Sequence, residues 1–158
     1  MAEPPEPFRG GSEWIIKRAL AAAGPGLVEG DRLLAKADLF VTNVVHCHPP
    51  DNRKSEPHEI ANCARFLRRE LALVQPRLVV GFGDDTRDWL MAEVRAAPVL
   101  GWRPFTPPNP APPGGPVLLL MPHPSRMRFR PATERQEWID ALTDALRWGF
   151  RERRPGHK

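Results

Sequence analysis

The residues that could do chemistry fall in two polar stretches, each directly behind an apolar run. His123-Pro124-Ser125 follows the run at 117–121, and Asn43 through Arg53, with His46, Cys47, His48, Asp51 and Asn52 between them, follows the run at 39–45. Imidazole changes charge closest to neutral pH and also ligates metals, although a lone histidine behind a strand is more often a hydrogen-bonded polar residue. Cys47 and Cys63 are the two cysteines of the chain, with fifteen residues between them. In a reducing compartment they are thiols or metal ligands rather than a disulfide framework, and His46 and His48 beside Cys47 could complete a site. From residue 126 to 158 there are nine basic side chains against five acidic ones, Arg126, Arg128 and Arg130 among them. Such clustering suits a phosphate backbone, or equally a solvated basic face.

These stretches need elements to hold them. The run Leu39-Phe40-Val41-Thr42-Asn43-Val44-Val45 is too continuously apolar and β-branched for a half-exposed strand, and predicts one buried on both faces of a parallel sheet. Pro57 is placed to open a helix whose stripe is Ile60, Cys63, Ala64, Leu67, Leu71 and Val74, ending before Pro76. A second buried strand at 78–82 runs through Gly83-Asp84-Asp85 into a helix carrying Trp89, Leu90 and Val94. Residues 104–116, with seven prolines in thirteen, form a loop without a ladder, and a third buried strand at 117–121 delivers His123. An earlier helix from Ser12 to about Ala23 presents Trp14, Ile15, Arg18, Ala19 and Ala22. The last helix opens on a Thr133–Gln136 capping box and packs through Trp138, Ile139, Leu142, Ala145 and Leu146.

Alternating strands and helices give an α/β class: three layers, α/β/α, around a short and mainly parallel sheet. Ligands of such sheets sit beyond the carboxyl ends of the strands, so the Asn43 and His123 stretches should meet at one edge. At 158 residues and 41% apolar content the chain makes one domain with a real core. We expect a flexible tail at 1–11, the domain at 12–150 and a basic tail at 151–158. No stretch is long and apolar enough for a bilayer span and no secretory pattern opens the chain, which predicts a cytoplasmic protein.

The block from Thr42 to Arg53 with Glu59 and Cys63 closely resembles the "TNVVKCRPPxNR…C" block of the family-4, iron–sulfur branch of the uracil-DNA glycosylase superfamily. "LALVQPRLVVGFG" is similar to that family's "IALIRPKVIVALG", His123-Pro124-Ser125 to its "HPS" motif, and Pro7-Phe8-x-Gly10 to its "PFVGRAG" segment. The resemblance covers about residues 7 to 148. It implies a protein that flips uracil or a related deaminated base out of single- or double-stranded DNA and hydrolyses its N-glycosidic bond. Asn43 would read the base edge, since an amide both donates and accepts; Phe8 would stack on the base, and Asn52 would complete the substrate contacts. His123 would donate to the uracil carbonyl as negative charge develops there. Ser125, Arg126, Met127, Arg128 and Arg130 would lie on the loop that enters DNA, with Met127 as an apolar wedge and the arginines on phosphates.

The family's first strand and its Gly-Glu-x-Pro-Gly motif should stand just before Pro7-Phe8, and the six residues there do not reproduce them. The chain thus shows three strands where the family has four. An upstream segment, a partner or second copy that covers the open sheet edge, or a paralogue that binds a base without cleaving would each account for this. Cluster ligation takes four thiolates. No cofactor is therefore expected on Cys47 and Cys63 alone, and an iron–sulfur cluster only if further ligands come from elsewhere.

Overall fold

A computed structural model describes residues 13–24, 28–29, 32–33, 39–46 and 49–150. The expected tails at 1–11 and 151–158, together with Ser12, Phe8, Cys47 and His48, lie outside the described residues. In chain order the elements are α1 (Glu13–Ala23), a two-residue hairpin of β1 (Val28–Glu29) and β2 (Arg32–Leu33), α2 (Pro57–Val74), β3 (Leu78–Phe82), α3 (Asp84–Glu93), β4 (Val99–Leu100), β5 (Val117–Met121), a single turn α4 (Pro124–Met127) and α5 (Ala132–Phe150).

The sheet is parallel, in the order β3-β5-β4, with Leu78 opposite Val117 and Phe82 opposite Met121. β5 lies in the middle because its five residues are apolar and can be buried on both faces. Val117, Leu119 and Met121 pack on one side against Ile15, Ile16, Ala19 and Leu20 of α1 and Trp138, Leu142 and Ala145 of α5. Leu118 and Leu120 face the other way, toward Ala64 and Leu67 of α2 and Trp89 and Leu90 of α3. Helices thus cover both faces, giving the three-layer α/β/α architecture. Leu118 and Leu119 are both fully buried, and each side chain removed from water in this way contributes about 1.5–3 kcal/mol.

Strands β3 and β5 fall where the apolar runs place them, and α2 begins on Pro57, with Glu56 and Glu59 forming a reciprocal capping box. It ends at Gln75 in the left-handed conformation (φ 47°), before Pro76, which disfavours a helical residue ahead of it. Two expectations about helices shift. In α1 the inward face is Ile15, Ile16, Ala19 and Leu20, while Trp14 is exposed. In α5 the start lies at Ala132, and the Gln136 amide donates to Asp140 Oδ1 at 2.8 Å instead of closing a box with Thr133.

The larger correction concerns residues 39–46, which form no strand. The third strand of the sheet is β4, inside the segment that leads to the proline-rich loop. A strand exists only through a ladder, and among the described residues β3 pairs with β5 alone. The 39–46 segment is held through side chains instead: the Thr42 hydroxyl donates to Glu70 Oε2 at 2.8 Å, and His46 lies 3.5 Å from Glu70. Leu39 packs on the α1/α5 core and Val44 on the α2/α3 core. That alternation between faces is the one a strand at this edge would have.

Candidate functional site

Met121 ends β5, and Pro122 turns the chain outward with its carbonyl accepting from Trp138 Nε1 at 3.1 Å. Trp138 is fully buried and stacks on Phe82 with centroids 5.5 Å apart, which fixes the ends of β3 and β5 to the same helix. Gly83, immediately after β3, donates its N–H to the Met121 carbonyl at 3.0 Å. With φ 87° and ψ 172°, Gly83 occupies a conformation essentially reserved for glycine. A β-carbon there would lie 3.4 Å from His123 Cβ, so the turn after β3 is the wall against which His123 rests.

His123 caps the one-turn α4. The Ser125 backbone N–H donates to His123 Nδ1 at 3.2 Å and the Ser125 hydroxyl lies 2.7 Å from the same nitrogen. An amide N–H can only donate, so Nδ1 carries the lone pair and the ring proton belongs on Nε2. The residue is exposed overall, yet burial of its inner side, then the positive charge of Arg126, hold its pKa below the usual 6.5. His123 is therefore a neutral imidazole at neutral pH that presents one N–H donor away from the loop holding it.

The acidic start of α3 joins the two chemically loaded stretches. Asp84 Oδ2 accepts from Arg126 Nη2 at 3.0 Å, and Asp85 pairs with Lys54 at 3.1 Å. Arg53, from the same loop as Lys54, forms a fork onto Glu59 with bonds of 3.0 and 2.6 Å, and this guanidinium, ahead of the Glu56 backbone N–H, lowers the Glu59 carboxyl to about 2. The turn at 83–85 thus gathers residues 53–54 on one side and the His123 loop on the other. Asp84 and Asp85 were not among the site residues expected from sequence, although their place at the carboxyl end of β3 is where α/β sheets put ligand-facing groups.

The remaining expected residues divide. Asn43 is exposed and makes no hydrogen bond among the described residues, to His123 or otherwise, and it stands on the segment packed against α2. Asn52 lies in a short turn, Pro50–Asn52. Ser125 contacts His123, and Arg126 is paired with Asp84. Arg130 lies 3.7 Å from Glu134, while Arg128 forms no ion pair among the described residues. Met127, expected as an apolar wedge, lies inside the domain. It is 2% exposed and packs in the α1/α5 core, because burying a thioether there is what anchors α4 to the domain. Beside this loop is a cleft of about 250 Å³ lined by Trp102, Arg103, Pro122, Arg126, Met127, Arg130 and Glu134. It does not include His123 or Asn43.

Cys63 is buried on α2 at 5% exposure, and no three His, Cys, Asp or Glu side chains gather among the described residues. An iron–sulfur cluster takes four thiolates; Cys63 is the one cysteine among the described residues, and Cys47 lies outside them. No described helix is long and apolar enough to cross a membrane.

The three-layer domain thus presents a histidine N–H donor from the loop behind its central strand, with Arg126 beside it. The family model described as the uracil DNA glycosylase superfamily matches residues 3–147, and the chain belongs to that superfamily. Among curated relatives, the type-4 uracil-DNA glycosylase of Archaeoglobus fulgidus is 33% identical over 78 residues, which is 49% of this chain and 35% of that protein. The type-4 enzyme of Thermotoga maritima is 30% identical over 77 residues, again 49% and 35%. The type-5 uracil-DNA glycosylase of Pyrobaculum aerophilum is 44% identical over 46 residues, 29% of this chain and 20% of its own length. The matched stretches thus span about a third or less of these relatives.

Proposed function

We propose that this chain binds DNA, accepts a flipped uracil or related deaminated base, and hydrolyses its N-glycosidic bond as a base-excision repair hydrolase. The observation that carries the reading is the His123 tautomer: Nδ1 is occupied by Ser125, leaving Nε2–H as a donor. When the bond between C1′ and the base nitrogen breaks, the base leaves with the electron pair and negative charge spreads onto its carbonyl oxygens. A neutral N–H aimed at that oxygen strengthens its hydrogen bond as the charge grows, which lowers the barrier without transferring a proton. Water supplies the hydroxyl that ends on C1′, and its remaining proton passes to solvent, from which the departed base anion is reprotonated. The exposed amide of Asn43 offers the donor and acceptor that uracil's edge requires, with Asn52 and Phe8 as further substrate contacts. Arg128, with Ser125, Arg126 and Arg130, is available to phosphates. A cytoplasmic location accords with reduced thiols at Cys47 and Cys63. An iron–sulfur cluster enters only with ligands beyond these two.

Uracil release from single- and double-stranded oligonucleotides, compared with His123→Ala and Asn43→Ala, tests this. Release that both substitutions weaken supports it. A second reading is favoured by β3 having no second strand partner among the described residues and by the 39–46 segment standing outside the sheet: a superfamily member that binds nucleic acid or a base without cleaving, or one completed by a further strand from a partner or second copy. Salt-sensitive DNA binding without release in any form of the protein would favour the binder.

A further inference from the structure

The loop that holds His123 also turns a large apolar side chain to solvent. Phe129 is 83% exposed, more than any other large apolar side chain among the described residues. The helical path of α4 continues through Arg128 (φ −62°, ψ −23°), and the Phe129 N–H reaches the Arg126 carbonyl at 3.4 Å. Residues two apart on such a path point about 200° from each other, so burying Met127 drives Phe129 outward. Phe129 thus reaches solvent two residues past α4, on the loop that also carries Ser125 and His123.

Its surroundings are cationic. The Arg128 guanidinium lies over the phenyl ring, 5.4 Å from its centroid, and Arg130 follows Phe129 directly in sequence. The cleft lined by Trp102, Arg103, Arg126 and Arg130 lies beside the same loop. An exposed ring among guanidiniums matches what a base stack between two phosphate lines offers: a flat apolar face with negative charge on either side. Resting on the DNA-binding reading above, we propose that Phe129, not Met127, is the side chain that stacks into DNA beside the flipped nucleotide, with Arg128 moving from its ring to the adjacent phosphate.

The test uses duplexes carrying 2-aminopurine next to uracil, whose fluorescence rises when the neighbouring base leaves the stack. With the full chain at fixed salt, Phe129→Ala should weaken duplex binding about tenfold, as loss of one stacked contact does, and suppress the fluorescence rise. Phe129→Trp should keep both, and Arg128→Gln should lower the salt dependence of binding. An unchanged melting temperature would show that Phe129→Ala remains folded. Wild-type affinity and fluorescence in Phe129→Ala would overturn the proposal. If the wild type binds with a Phe129-dependent fluorescence rise yet releases no uracil, hydrolysis falls and this assignment stands. If the wild type binds no DNA, both fall.

Discussion

Met127 and Phe129 sit two residues apart and should respond to truncation in opposite ways. Met127 is 2% exposed within the α1/α5 core. Returning a buried methionine to water costs about 1.5–3 kcal/mol, and Met→Ala changes that leave a cavity cost about 2–5 kcal/mol in all. A central value of about 3 kcal/mol, at about 2–4 °C per kcal/mol for a domain of this size, lowers Tm by about 6–12 °C. Met127→Leu keeps the volume and should cost less than about 1.5 kcal/mol. Phe129→Ala, on the surface, should stay within about 0.5 kcal/mol of wild type. Thermal melts followed by circular dichroism, with urea midpoints as a second measure, decide it. If Met127→Ala melted like wild type while losing DNA affinity, Met127 would be the wedge that its place in the motif implied, and the packing described for α4 would be wrong.

Three more expectations come from the site. Nitrogen chemical shifts should show His123 unprotonated at Nδ1 and protonated at Nε2 at neutral pH, titrating below 6.5. Because the fold holds the neutral ring, the unfolded chain protonates first as pH drops below 6.5. Stability and uracil release should therefore decline below that point, and a His123 titrating above it would contradict the burial and Arg126 charge that hold its pKa down. Glu59, lowered from 4.5 to about 2 by Arg53, should stabilise the fold fully above pH 4.5 and lose that contribution as pH falls toward 2. The gap in urea midpoint between wild type and Glu59→Gln should close over the same window, and a gap independent of pH would refute the pairing. Gly83→Ala, forced into φ 87° against His123, should cost about 1–3 kcal/mol. It should also displace the His123 ring, detected as a shift of its imidazole resonances; a neutral result would mean the turn relaxes freely.

What the sequence determined by itself is what depends on short range. The runs at 78–82 and 117–121 are strands because continuous apolar residues between turn formers have little else to become, and Pro57 and Gln75-Pro76 bound α2 through local sterics. The superfamily was also legible, because the His123-Pro124-Ser125 and Asn43–Arg53 blocks keep residue types that the chemistry needs. The tertiary structure decided what depends on partners. Residues 39–46 have the composition of a buried strand, but a strand is a property of two chains side by side, and β3 offers them no ladder. The choice between Met127 and Phe129 was likewise invisible: both are apolar, on one turn of a loop, and only the position of that turn over the α1/α5 core sends one inward and the other to solvent. The pairing of Asp84 with Arg126 and of Asp85 with Lys54 joins residues 42 and 31 positions apart, a juxtaposition set by where the parallel strands end rather than by any local pattern.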